Sequence, residues 1–293
     1  MRTLIALILT LLLCGCAATA MVNMQNEPAP AAEEPVESLQ EEVIRYTMVT
    51  ATWKDTAAAE DGTELAAYRF ELPVLTPVRE DGTAIMEPQT PTEEQAAAVA
   101  AAFNEKFGKW AAAEEFGEIV SWAAEELAFR QEEGIDGFNP YALELDCSVY
   151  QTDHLVSVSG TYYSSTGGAH PNTWMLGWNF DLEEGVFFDP SLLAEGTALQ
   201  EAITAEMVRQ AQIPGESGYV PAEMYWEDYE AIMANWASYA VTFDEVGMDV
   251  IFSPYELAPY AAGPQEFHLP YEFLEPYLSN HGRLLLGLGE AEP

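Results

Sequence analysis

Two consecutive segments in the middle of the chain alternate strictly between apolar and polar residues, and this alternation constrains the fold more than any other feature. In the first segment the apolar residues occupy every second position: Leu143, Leu145, Cys147 and Val149. The second repeats the pattern with Val156, Val158, Gly160 and Tyr162. The polar stretch 151–154 predicts a turn, so we expect the two segments to pair as antiparallel strands. After a loop, 172–181 is predicted to be a third strand.

An earlier part of the chain has the period of a helix instead. Its large apolar residues are four, four and three positions apart and so fall on one helical face: Val99, Phe103, Phe107 and Trp110. Thr92 and Gln95 have the spacing of a capping box, and Gly134 predicts the end of the pattern. We therefore expect a helix or a broken helical pair over 92–133, with its aromatic stripe in the core rather than on a ligand surface.

The remaining segments complete a mixed architecture. Residues 43–53 and 68–72 predict a hairpin around Asp61-Gly62, and 197–212 predicts a helix. A second hairpin is predicted from 239–252, followed by a short strand at 267–269. Because strands and helices do not alternate regularly and no internal repeat occurs, the predicted class is α+β, an antiparallel β-sheet with segregated helices.

The N-terminus carries a targeting signal. A basic start is followed by an apolar run over 4–13, which is shorter than the roughly 20 residues that a membrane-spanning helix needs. Residues 13–16 (Leu-Cys-Gly-Cys) resemble a bacterial lipobox, so 1–16 is predicted to be a lipoprotein-type signal peptide and Cys16 the acylated residue. The protein would then be anchored to the outer face of the bacterial membrane. The alternative is an ordinary signal, cleaved after residue 18 or 20, and an extracellular protein.

Charge and composition limit the partners. Residues 17–41 are rich in Ala, Pro and Glu and predict a disordered linker. The whole chain has 49 acidic and 10 basic residues, a net charge of −39, while 49% of its residues are hydrophobic, which excludes a fully disordered chain. Such a charge repels nucleic acid and attracts cationic partners. An acidic bias of the habitat would produce the same composition and is an equally good explanation.

The sequence contains no signature of a metal or cofactor site. The four histidines, at positions 154, 170, 268 and 281, are far apart, and no zinc or EF-hand calcium motif occurs. Cys147 lies on the apolar face of its strand and is interpreted as a buried structural thiol rather than a nucleophile. We therefore predict no metal, no cofactor and no catalytic cysteine.

The stretch Gly167-Gly168-Ala169-His170 is the most distinctive loop. A phosphate cradle would need the lysine and the following helix of a P-loop, and neither is present, so the two glycines predict a turn between strands with positive φ angles. His170 could act as a catalytic base, but no nucleophile elbow accompanies it. We favour the interpretation that His170 bonds a backbone carbonyl and braces the loop.

Two motifs resemble a known family. Residues 163–185, with Gly-Gly-Ala-His and Asn-Phe-Asp-Leu, and residues 252–263, with Tyr-Glu-Leu-Ala-Pro-Tyr-Ala-Ala-Gly, resemble the paired domains of unknown function shared by the anti-sigma factor RsiV and the peptidoglycan deacetylase PdaC. The resemblance implies two adjoining domains, 42–185 and 186–278, before a tail at 279–293. It also implies a role, because this region of RsiV binds lysozyme. Only three residues precede the apolar run and no deacetylase domain follows 278, so we expect the ectodomain alone.

These observations lead to one functional prediction with two alternatives. We expect a surface-anchored binding protein that captures a cationic, cell-wall-active protein such as lysozyme, and that touches the membrane only through Cys16. The candidate binding residues come from both motifs: Gly167, Gly168, His170, Tyr255, Glu256, Pro259 and Tyr260. The second motif has an equally good structural interpretation, in which its prolines end a strand and Tyr255 with Glu256 pins the loop. The functional alternatives are an envelope glycan hydrolase that uses His170, and a structural envelope lipoprotein.

Overall fold

Six strands form the larger of two β-sheets, and they are arranged in their order along the chain. They are β1 (Arg45–Ala58), β2 (Glu64–Val78), β3 (Tyr141–Gln151), β4 (Leu155–Ser165), β5 (Asn172–Asp181) and β6 (Val186–Phe187). The computed structural model describes residues 43–213 and 220–289. The predicted signal peptide with Cys16, the linker and the last four residues of the predicted tail lie outside these ranges.

The α+β class is confirmed, with one pairing that differs from the antiparallel sheet predicted. All neighbouring strands in the larger sheet are antiparallel except β2 and β3, which run parallel from Ala66↔Tyr141 onwards. Parallel neighbours require a crossover connection, because the chain must return to the same end of the sheet. Two helices supply it: α1 (Pro91–Ala111) and α2 (Phe116–Glu133).

The helical region is a broken pair, as predicted, but its start differs from the predicted capping box. The N-cap of α1 is Thr90, whose hydroxyl accepts a hydrogen bond from the Glu93 amide at 3.2 Å, rather than Thr92. Pro91 then occupies the first helical turn, where its missing N–H costs nothing. The break between the helices includes Ala113, whose φ of 45° is left-handed. At Gly134 a left-handed cap ends α2.

The helices cover one face of the larger sheet and form the first hydrophobic core. Phe103 and Phe107 are fully buried, and their rings pack against Phe180 and Trp178 of β5, each with centroids 5.3 Å apart. Burying a side chain of this size contributes about 1.5–3 kcal/mol. Trp110, one turn further along α1, is only partly buried. The predicted aromatic stripe is therefore core over most of its length.

The second core is built around a smaller antiparallel sheet. Its strands are β7 (Ala240–Phe243), β8 (Gly247–Phe252) and β9 (Gln265–Pro270). Four helices accompany it: α3 (Ala198–Ala211), α4 (Tyr229–Met233), α5 (Tyr271–Leu274) and α6 (Asn280–Leu285). Trp236 and Phe252 are fully buried at its centre. Leu285, in the region predicted as a tail, is buried in the same core.

Strand β7 packs directly against the face of the larger sheet opposite α1. Gly177 on β5 makes this approach possible, since a Cβ there would lie 2.5 Å from the Val241 carbonyl oxygen. Asn179 Nδ2 donates to that same oxygen at 2.9 Å, and the Phe243 amide donates to Ser157 Oγ at 2.8 Å. The described residues, 43–213 and 220–289, thus belong to one compact unit, and the predicted domain boundary after 185 falls in the turn between β5 and β6.

Candidate functional site

The Gly167-Gly168-Ala169-His170 stretch is the turn between β4 and β5. Both glycines are left-handed, with φ angles of 85° and 88°, as the sequence predicts for a strand-connecting turn. Gly167 also approaches α2 closely, since a Cβ at this position would lie 3.1 Å from Glu126 Oε2 and from the Tyr141 hydroxyl. Gly168 has open space around it and is exposed.

A small polar cluster of Glu126, Arg130 and Tyr141 lies next to the turn at Gly167. The Tyr141 hydroxyl donates to Glu126 Oε2 at 2.6 Å, and Arg130 Nε donates to Glu126 Oε1 at 2.8 Å. These bonds, from Tyr141 first and then from Arg130, lower the pKa of Glu126. Burial, followed by the Glu126 hydrogen bond, raises the pKa of Tyr141 to about 12. At neutral pH the cluster is therefore an ionised carboxylate held by a neutral phenol and a guanidinium.

His170 joins the two sequence motifs. Its ring lies flat on Tyr260, with centroids 3.9 Å apart and planes 16° apart, and its Nε2 is 3.3 Å from the Tyr255 hydroxyl. The other ring nitrogen, Nδ1, is 2.9 Å from the carbonyl oxygen of Pro171. His170 does bond a backbone carbonyl, and both of its nitrogens have a neighbour within the protein.

Tyr255 is held in an unfavourable backbone conformation at the exposed end of this cluster. Its φ is 76°, in the left-handed region, which costs a non-glycine residue about 1–2 kcal/mol. The Tyr255 carbonyl accepts a hydrogen bond from Trp226 Nε1 at 3.1 Å, and the residue as a whole is 54% exposed. The surrounding contacts thus hold this ring in solvent, at the end of β8.

Glu256 faces inward and ties the same loop together. Its carboxylate accepts a hydrogen bond from the Ser253 amide, and its own amide donates to the Ser253 carbonyl at 3.0 Å. Ser253 Oγ in turn accepts from the Met175 amide of β5 at 3.1 Å. Burial raises the pKa of Glu256, and the bonds from Ser253 oppose that effect. These contacts are those of a loop-pinning residue.

The predicted site residues therefore divide into two groups. His170, Tyr255 and Tyr260 come together in one aromatic cluster, which we call the His-Tyr-Tyr cluster. Pro259 is the N-cap of the short 3₁₀ helix Tyr260–Ala262, while Gly167, Gly168 and Glu256 shape the two loops. Trp226, which is 36% exposed, borders the cluster through its bond to Tyr255 and was missed from sequence, because its aromatic and acidic surroundings have no clear period.

The His-Tyr-Tyr cluster reaches the surface through His170 and Tyr255, which are both exposed. Within the described part of the chain, the hydrogen-bond neighbours of the His170 ring are the Pro171 carbonyl and the Tyr255 hydroxyl, and no carboxylate or serine hydroxyl is among them. Over the same residues, no three histidine, cysteine, aspartate or glutamate side chains are grouped to hold a metal ion. None of the described helices is long and apolar enough to cross a bilayer.

Comparison with protein families finds a match for part of the chain. Residues 187–272 match the DUF3298 family, described as a protein of unknown function. The match includes Tyr255 and Tyr260 but begins after the turn that carries His170. No curated protein matches the sequence significantly.

Two crystal structures of DUF3298 family proteins were found by comparison of the fold. The protein from Bacteroides fragilis has 16% identity and a TM-score of 0.54, with coverage of 84% of this chain and 98% of its own. The protein from Pseudomonas aeruginosa has 15% identity and a TM-score of 0.42, with coverage of 84% and 97%. At 16% identity the Bacteroides structure shows a shared fold, one that extends well beyond the matched segment.

Proposed function

We propose that this chain, which carries a DUF3298 domain, is a binding protein anchored through Cys16 to the outer face of a bacterial membrane. Its partner would be a cationic, cell-wall-active protein such as lysozyme. The observation that carries the proposal is the His-Tyr-Tyr cluster, in which His170, Tyr255 and Tyr260 meet on the surface. The sequence resemblance to the paired domains of RsiV and PdaC supports the choice of partner.

The cluster has the properties of an interface anchor. Tyrosine presents a large, rigid contact area at a low cost in conformational entropy, and it is enriched among the residues that dominate binding energy. Tyr255 is more than half exposed, while its backbone is fixed by Trp226 and its hydroxyl lies next to His170. A pre-organised ring of this kind loses little freedom when a partner covers it.

Net charge supplies the second part of the argument. A chain with a net charge of −39 attracts basic proteins over distances of about a Debye length and accelerates their association. Attraction of this type is not specific, because any basic protein benefits from it. Specificity would come from the aromatic contacts at the His-Tyr-Tyr cluster.

Affinity measurements on variants test the proposal. The full chain is titrated with lysozyme and with cytochrome c, a basic protein of similar size that controls for charge. We expect Tyr255→Ala to weaken lysozyme binding by about 2 kcal/mol, roughly thirtyfold, at physiological ionic strength. The matched control is Tyr277→Ala, which removes a tyrosine that is 37% exposed outside the cluster.

Two outcomes would contradict the proposal. If Tyr255→Ala and Tyr277→Ala had equal affinities, the His-Tyr-Tyr cluster would not be the contact surface. If lysozyme and cytochrome c bound equally and both lost affinity with added salt, the interaction would be charge attraction alone.

A further inference from the structure

An open cleft of about 320 Å³ lies where α1 and α2 meet above the larger sheet, away from the His-Tyr-Tyr cluster. Four aromatic side chains line it: Phe70, Trp110, Phe116 and Tyr162. The volume is at the lower end of the range of small-molecule sites, roughly 300–1,000 Å³. No part of the proposed function uses this cleft.

The break between the two helices creates the cleft. The Ala113 amide donates to the Trp110 carbonyl at 2.9 Å, and the Phe116 amide donates to the Ala113 carbonyl at 2.9 Å, so the chain makes two tight turns around one left-handed residue. Side chains from both sides of the break therefore line the same opening. A continuous helix would carry Phe116 along the helix axis, away from Trp110.

The aromatic rings stand at steep angles to one another. Phe70 and Trp110 are 6.2 Å apart with planes at 88°, and Trp110 and Tyr162 are 5.3 Å apart at 57°. Three rings at such angles form an incomplete box. The faces of aromatic rings carry negative potential and attract cations, most strongly when the cation is a weakly hydrated organic ammonium group.

The charges at the rim have the matching sign. Glu114 and Glu115 are exposed and line the cleft. Lys109 also lines it, and its Nζ is 3.3 Å from Glu105 Oε1, so the rim carries two carboxylates and one ammonium group. Burial, and after it the charge of Glu115, raises the pKa of Tyr162, which is consistent with a carboxylate close to the aromatic wall.

We propose that this cleft binds an organic ammonium ion with small apolar substituents, of the size of a trimethylammonium group. The rings contribute cation–π contacts, and the rim carboxylates contribute negative charge. The buried side chains of Phe70 and Leu143, which also line the cleft, disfavour strongly hydrated cations. A trimethylammonium group occurs both in free choline and on methylated lysine, so the experiment below includes both sources.

The test is a titration of the full chain with three compounds: choline, a trimethyllysine peptide and 3,3-dimethyl-1-butanol. The last is the neutral isostere of choline, in which a carbon atom replaces the nitrogen. Binding is followed by calorimetry and by the NMR signal of the Trp110 indole. We expect choline to bind and to shift that signal, and the neutral isostere to bind about tenfold more weakly. Tighter binding of the peptide would identify a polypeptide side chain as the source, and tighter binding of choline would identify the free cation.

Variants locate the binding site, and a surface variant distinguishes a loss of binding from a loss of folding. Trp110→Leu and Glu115→Gln should each weaken choline binding, and Glu115 is exposed, so its replacement leaves the core intact. Trp122→Leu is the matched control, because Trp122 is 47% exposed on α2 and does not line the cleft. Equal binding of choline and its isostere, or an unchanged Trp110 signal at millimolar choline, would overturn the proposal.

Discussion

The imidazole of His170 stacks on the ring of Tyr260 at a centroid distance of 3.9 Å, although the two residues belong to motifs far apart in the chain. His170 comes from the turn that connects two strands of the larger sheet, and Tyr260 from the loop between two strands of the smaller one. The stack therefore positions both loops at once. The exposed surface that we propose for binding depends on this contact.

Removal of the stacked ring should loosen the turn. We expect Tyr260→Ala to lower the free energy of unfolding by about 0.5–1.5 kcal/mol beyond the loss of buried area, and to accelerate amide hydrogen exchange at 167–170. The control is Tyr255→Phe, which keeps the ring and removes only the hydroxyl near His170. Unchanged exchange in Tyr260→Ala would show that the turn holds its shape without the stack.

The contact between the two sheets depends on the absence of a side chain at Gly177. We expect Gly177→Ala to destabilise the protein by about 1–3 kcal/mol, because the new methyl group would overlap the backbone of Val241. Gly108→Ala is a suitable control, since Gly108 lies within α1 with open space around it, and alanine there should stabilise by about 0.5–1 kcal/mol. Chemical denaturation measures both changes, and a neutral Gly177→Ala would contradict the packing.

Glu126 should make stability depend on pH. Its pKa is lowered in the folded state, so its ionised form adds stability above the ordinary glutamate pKa of about 4.3, and this stability is lost as the pH falls through the folded value. We expect Glu126→Gln to cost roughly 1–2 kcal/mol at neutral pH. The difference in the free energy of unfolding between Glu126→Gln and the wild type should disappear at acid pH.

The neighbouring residue provides the control for that experiment. Glu125 is exposed on the same helix, so Glu125→Gln should change the free energy of unfolding at neutral pH by less than about 0.5 kcal/mol. A Glu126→Gln deficit that stayed constant down to acid pH would show that packing, and not the ionised carboxylate, causes the loss.

Cys147 should react slowly in the native protein. Burial, and after it the charge of Asp146, raises the pKa of its thiol to about 12, so little of the reactive thiolate exists at weakly alkaline pH. We expect alkylation of the folded chain to be at least about tenfold slower than that of the denatured chain. Mass spectrometry of the modified Cys147 peptide measures the rates, and equal rates would identify an accessible, activated thiol.

Local pattern was sufficient to predict most of the secondary structure. Alternation over 143–149 and 156–162 predicted β3 and β4 and their antiparallel pairing, because the turn between them is short. The parallel pairing of β2 and β3 was beyond sequence reasoning, because it depends on where a long helical crossover returns the chain. The left-handed Ala113 was also beyond it, since alanine is the strongest helix former and gives no signal of a break.

The candidate site shows the same division between local and tertiary information. The two motifs were conspicuous one at a time, but no sequence pattern indicated that His170 would lie on Tyr260. The contact arises from the packing of the smaller sheet on β5 through Gly177. Trp110 was assigned to the core from its helical spacing, which cannot distinguish a buried ring from one that lines a cleft.

The single parallel pair also affects the order in which the protein can fold. Strands β3, β4 and β5 are joined by short connections, so their pairing closes small loops and can begin as soon as these residues are available. The pairing of β2 with β3 closes a much longer loop, which contains both crossover helices, since Ala66 pairs with Tyr141. The β1–β2 hairpin is synthesised first, yet we expect it to join the sheet last.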